Sequence, residues 1–124
     1  MVQMAIDGDT LHLRMRGIDQ ILALRSELSV PLAHIRAVTI RPAEAHGWFH
    51  GLRFGANLPG VVTAGSFLTG EGLVFWDVHD PDKTIGLDID HELYKRVIVE
   101  VEGSPEAAAA QIDAARERAR AGGA

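Results

Sequence analysis

The chain predicts a mainly β fold closed by a C-terminal helix, on three observations. Extended runs rich in β-branched and aromatic residues follow one another over 61–69, 73–79, 84–89 and 96–102, separated by turn residues. A helix start signal, Ser104-Pro105-Glu106, comes directly after the last run and opens an alanine-rich stretch. The first fifteen residues alternate apolar and polar on either side of a Gly-Asp pair, as a hairpin does.

In chain order, Val2, Met4 and Ile6 alternate with Gln3, Ala5 and Asp7, and Leu11, Leu13 and Met15 alternate with His12, Arg14 and Arg16. With Gly8-Asp9 as the turn, Ile6 faces Leu11, Met4 faces Leu13 and Val2 faces Met15. Gly17 breaks the strand. Ile18, Ile21, Leu22 and Leu28 then fall at helix-like offsets, which predicts a short helix over 18–26 that Pro31 keeps from running on. Residues 36–41 return to extended structure with Val38 and Ile40 inward. The stretch 42–60 shows no clear period and reads as a long loop or a concealed element.

Three strands follow. Gly70-Glu71-Gly72 is a hairpin loop between the first two, and Asp80-Pro81-Asp82-Lys83 is the next turn, with Pro81 presetting its backbone. Ile85, Leu87 and Ile89 alternate with Gly86 and Asp88. After a polar turn, Val97, Val99 and Val101 alternate with Glu100 and Glu102. In the helix, expected over 105–120, Ser104 caps free amides, Pro105 suits the first helical position and Glu106 complements the dipole. Ala108, Ile112, Ala115 and Ala119 form one stripe, and Arg116, Arg118 and Arg120 gather at the end that favours cations.

The 124 residues suit one domain spanning 1–124, with a modest core and no internal repeat. Absence of cysteine excludes disulfides, thiolate metal sites and cysteine nucleophiles. A formal charge of −5 opposes phosphate backbones, so nucleic acid is not an expected partner. Asp7 and Asp9 interrupt any early apolar run and no window is long enough for a membrane span, so a cytoplasmic location is expected.

This organisation resembles the bacterial pleckstrin-homology-like domains. The resemblance is carried by the Pro59-Gly60 entry, the Phe75-Trp76-Asp77-Val78 strand, the Ile85-Gly86-Leu87-Asp88-Ile89 strand, the run 97–101 and the Ser104-Pro105-Glu106 helix start. It implies a partly open antiparallel barrel of about seven strands with the last helix plugging one end. It also implies a binding or assembly role rather than catalysis. Eukaryotic relatives hold phosphoinositides through basic residues around the first hairpin loop. Here that loop is Asp7-Gly8-Asp9 with only Arg14 and Arg16 nearby, the wrong sign for a phosphate, which speaks against phosphoinositide binding.

Side chains with chemical potential divide into two groups. Trp48 and Phe49, two large aromatics in a glycine-punctuated stretch, are the candidates for partner contact, with Arg53 and Asn57 at their edge. Phe67, Phe75, Trp76 and Ile112 are candidates for lining a cavity between the barrel and the closing helix; alternation with Val74 and Val78 also explains Trp76 as core. His46 and His50 lack a supporting ligand pattern, so no metal and no cofactor are expected. Asp80, Asp82, Asp88 and Asp90 lack calcium-loop spacing. Asp77 and His79 could form an acid–base pair but have no nucleophile beside them in sequence.

These observations favour a non-enzymatic binding or assembly module, its partner another protein or another copy of the chain. A carrier of small apolar ligands is the second expectation, and a hydrolase using Asp77 and His79 the weakest.

Overall fold

The structure, a computed structural model, describes residues 2–15, 27–42, 52–58, 62–69 and 72–122; within 52–58 and 62–69 only the backbone is described, Ser66 excepted. Among these residues stand nine strands and one α-helix: β1 (Val2–Asp7), β2 (Thr10–Met15), β3 (Glu27–Pro31), β4 (Ile35–Ile40), β5 (Leu52–Leu58), β6 (Val62–Thr69), β7 (Gly72–Val78), β8 (Thr84–Ile89), β9 (Tyr94–Glu100) and α1 (Pro105–Gly122). The expected helix over 18–26 lies outside the described residues.

The chain is mainly β, but its strands lie in two sheets that do not close into a barrel. One has the order β1-β2-β3 and the other β4-β8-β9-β7-β6-β5. A single parallel bridge, Val2 to Val101, joins them among the described residues. The expectation of about seven antiparallel strands is corrected on two counts. There are more strands, and β9 inserts between β7 and β8, running parallel to β7.

The first hairpin has the register its alternation requires, with Val2 opposite Met15, Met4 opposite Leu13 and Ile6 opposite Leu11. Gly8, at φ +60°, takes the turn position a Cβ would strain. Strand β3 then pairs Leu28 with Leu13 and Val30 with Leu11, so Leu28 belongs to a strand and not to a helical stripe. In β4, Val38 packs on the core, whereas Ile40 is 40% exposed because its strand is a sheet edge and it ends there.

The main core lies between the small sheet, one face of the large sheet and α1. Leu11, Leu13, Met15, Phe75, Ile85, Leu87, Val97, Val99, Ile112 and Ala115 meet there. Tyr94 packs edge-on against Phe75, and its hydroxyl shares a 2.6 Å hydrogen bond with that of Ser66. Helix α1 contributes the Ala108, Ile112, Ala115, Ala119 stripe, whose small residues allow close approach to β4 and β8. Ser104 caps the helix by accepting from the Ala107 amide at 3.0 Å.

The large sheet is buried on its other face too. Val74, Trp76, Val78 and Ile98 form a second buried cluster there. Burial on both faces goes with near-continuous apolar runs and with the parallel β7–β9 pair at the centre of the sheet. No helix of the described residues is long and apolar enough to cross a membrane.

Candidate functional site

The two candidate groups are redistributed by strand register. Trp48 and Phe49 lie outside the described residues, as do His46 and His50. Arg53 and Asn57 fall within β5, a concealed element inside the aperiodic 42–60 stretch, and β5 is one of the two edge strands of the large sheet. Arg53 is opposite Phe67 and Asn57 opposite Thr63; Phe67 is in turn opposite Val74, and Thr63 opposite Val78. Side chains directly across a pair share a face. Arg53, Asn57 and Phe67 therefore stand at positions on the face that carries Trp76.

Trp76 lies in a row that crosses five strands: Gly55, Gly65, Trp76, Ile98 and Gly86. Glycines on both sides of the large pair leave bare backbone beside the indole, which gives a broad ring room to lie along the sheet. At the Gly86 end the space is filled. A Cβ there would come within 2.9 Å of the Arg96 guanidinium and 3.1 Å of Pro42, and Arg96 is itself held by Asp88.

Phe75 and Ile112 go the other way. Both are fully buried in the main core, on the face opposite Trp76. The four residues expected to line one cavity are thus divided between two sides of the sheet, because adjacent strand residues point to opposite faces. A groove of about 670 Å³ does border the helix, at its C-terminal half, lined by Asp9, Pro31, Leu32, Ala33, Ile35, Arg116, Ala119 and Arg120. Arg116 is already engaged, donating to Asp113 at 2.9 Å and to the Arg36 carbonyl at 2.8 Å.

Polar chemistry elsewhere ties segments together. Glu100, 6% exposed, accepts from the His79 and Asp80 amides, each at 2.8 Å, and so fastens the β7–β8 turn to the end of β9. Arg41, at φ +49°, donates through its guanidinium to both carboxylate oxygens of Glu106 and to the Asp82 carbonyl, locking the end of β4 to the start of α1. The hydrogen bond to Arg41 holds the Glu106 carboxyl below the usual carboxylate range, and the same contact raises Arg41. His34 meets Glu92 at 2.7 Å, with the ring of His91 tilted against it.

The Asp77–His79 pair is divided by burial, Asp77 having no exposed surface while His79 is exposed. Among the described residues no three His, Asp or Glu side chains gather as a metal-binding group. Sequence reasoning missed the role of Glu100, which alternation places among outward residues. No local pattern marks it, because the nearness of Glu100 to the β7–β8 turn comes from β9 lying between β7 and β8. The chain matches no family model, no curated protein and no solved structure.

Proposed function

We propose that this chain is a non-enzymatic binding or assembly module of pleckstrin-homology-like kind, presenting the 42–60 stretch to a protein partner or another copy. The observation that carries the reading is that Arg53 and Asn57 stand on β5, an edge strand at the β5–β6–β7 end of the large sheet, in the same aperiodic stretch as Trp48 and Phe49. That end lies away from α1, whose substantial contacts are with β4, β8, β1 and the turn at Leu32–His34. Strands β4 and β5 sit at opposite edges of the sheet, so the residues between them, Trp48 and Phe49 included, link one edge to the other. Aromatic residues beside an arginine are the composition of an energetic anchor in protein interfaces.

The test is a capture experiment with wild type and a Trp48→Ala, Phe49→Ala double variant, both shown to be folded by circular dichroism. Binding that falls about thirtyfold or more in the variant supports the reading, since anchor residues cost at least about 2 kcal/mol. A strictly monomeric wild type whose Trp48 emission ignores cell extract removes it.

A carrier role is the second reading, favoured by the groove beside α1, whose floor of Leu32, Ile35 and Ala119 is apolar and whose rim holds Arg116 and Arg120. It suits a small apolar ligand with an anionic end. Native mass spectrometry showing the bare chain, with no displaceable binding of an apolar fluorescent anion, ends that reading.

A further inference from the structure

The outer edge of β1 offers a surface that the 42–60 reading does not use. On its inner side β1 is paired with β2 along its whole length. On its outer side the parallel bridge at Val2 holds the first residue to Val101, and among the described residues no strand pairs with Gln3 to Asp7 there. A cleft of about 420 Å³ runs beside this edge, lined by Met4, Ala5 and Ile6 from the strand and Gln111, Ala114 and Arg118 from α1.

Hairpin geometry states which backbone groups face that cleft. Asp7 and Thr10 close a two-residue turn, so they form a hydrogen-bonded pair. Hydrogen-bonded and non-hydrogen-bonded pairs alternate along an antiparallel ladder. Gln3, Ala5 and Asp7 therefore direct their amides and carbonyls to β2, while Met4 and Ile6 direct theirs outward. The side chains of Met4 and Ile6 pack on the core yet remain only half-buried.

Edge strands in folded proteins usually carry a device against pairing: a Lys, a Pro, a bulge or a neighbouring cover. Strand β3 ends in Pro31, and β4 carries a register irregularity between Ile35 and Ala37 together with Arg36. Strand β1, Val-Gln-Met-Ala-Ile-Asp, has no Lys, Pro or bulge, and α1 faces it across the cleft.

We propose that β1 is a self-association edge: two copies of this chain pair antiparallel through Gln3–Asp7 about a twofold axis at Ala5, joining their three-stranded sheets into one. The occupant is a second copy because this register is self-complementary in three respects at once. It sets Met4 against the second copy's Ile6 and Ile6 against its Met4, which are the residues with outward backbone groups. The same pairs complete the burial of the half-exposed apolar side chains. On the opposite face, Gln3 lies across from Asp7, an amide donor against a carboxylate. A register centred on Met4 would instead require Val2, whose edge is already taken by Val101.

The absence of native cysteine makes the test direct. In the proposed register Ala5 faces its own copy as a non-hydrogen-bonded pair, about 4.5 Å between Cα atoms, within disulfide reach. Gln3 lies about 13 Å from the second copy's Gln3, four residues away along the strand and beyond reach. Full-length Ala5→Cys under mild oxidation is expected to form a covalent dimer at least about tenfold faster than Gln3→Cys, given that difference in reach. Light scattering should find wild type at twice 13.4 kDa at high concentration. Ala5→Lys, on the exposed face, should be a folded monomer because two lysines then oppose each other. Three results overturn the proposal: a wild type that stays at 13.4 kDa at millimolar concentration, equal cross-linking of the two cysteine variants, or an undiminished dimer in Ala5→Lys. Loss of binding in the Trp48 and Phe49 variant with cross-linking intact would separate this edge from the 42–60 surface.

Discussion

Replacing Glu100 with alanine should destabilise the fold substantially, although the residue belongs to no reaction and lies at the end of a strand. Its carboxylate is 6% exposed and accepts two backbone amides at 2.8 Å. Removing it leaves two donors without their acceptor, at about 1–3 kcal/mol each when water cannot replace it. Two effects reduce the sum. Burying a carboxylate carries its own desolvation cost, which the alanine no longer bears. His79 is exposed and Asp80 partly so, which lets water reach at least one amide. The net expectation is a loss of about 2–3 kcal/mol, or a fall of about 10 °C in melting temperature for a chain of this size. Glu100→Gln keeps a carbonyl oxygen but loses the charge, and should cost about 1 kcal/mol. Urea unfolding followed by tryptophan emission, with an unchanged m-value, measures both. An alanine variant within about 0.5 kcal/mol of wild type, in the range of a neutral surface change, would refute the reasoning, as would a glutamine variant weaker than alanine.

Ile112→Ala should cost about 2–5 kcal/mol by thermal melting, because it opens a void where α1 meets the core; Ile112→Val should cost about 0.5–1.5 kcal/mol. Gly8→Ala should cost about 1 kcal/mol in urea, from the positive φ alone, since nothing lies within 4 Å of the added Cβ. Glu106 titrates below its ordinary value of 4.5 because of Arg41, so its contribution is present above that pH and lost as pH falls through the lowered value. Wild type should therefore exceed Glu106→Gln in stability at neutral pH and converge with it in acid, as read from unfolding midpoints across a pH series.

Local periodicity made much of this fold legible. Gly8-Asp9 with three alternating pairs gives the first hairpin and its register. Ile85, Leu87 and Ile89, between a proline turn and Asp90, give β8 with the bounds the structure has. Strand β3 was concealed because Leu28 also fits a helical offset, and Pro31, an edge-strand residue, reads as a helix stop. Strand β5 was concealed because Gly55 and Ala56 dilute the alternation of Leu52, Phe54 and Leu58. What no two-residue period contains is the identity of the neighbouring strand. The placement of β9 between β7 and β8, and with it the separation of Phe75 from Trp76 across a sheet buried on both faces, follows from tertiary pairing alone. The candidate face shows the same division: alternation tells which residues share a side within β5, but only register joins Arg53 to Phe67.

The late position of β9 in the chain has a consequence for assembly. Before it arrives, β4 and β8 make one ribbon and β5, β6 and β7 another, with no strand between them. Tyr94 to Glu100 acts as a zip that fuses these halves, and the helix that follows seats on the β4–β8 side of the core. Folding of the large sheet should therefore be gated by the last third of the polypeptide, and a chain truncated after Asp90 would hold two separate ribbons with unsatisfied inner edges.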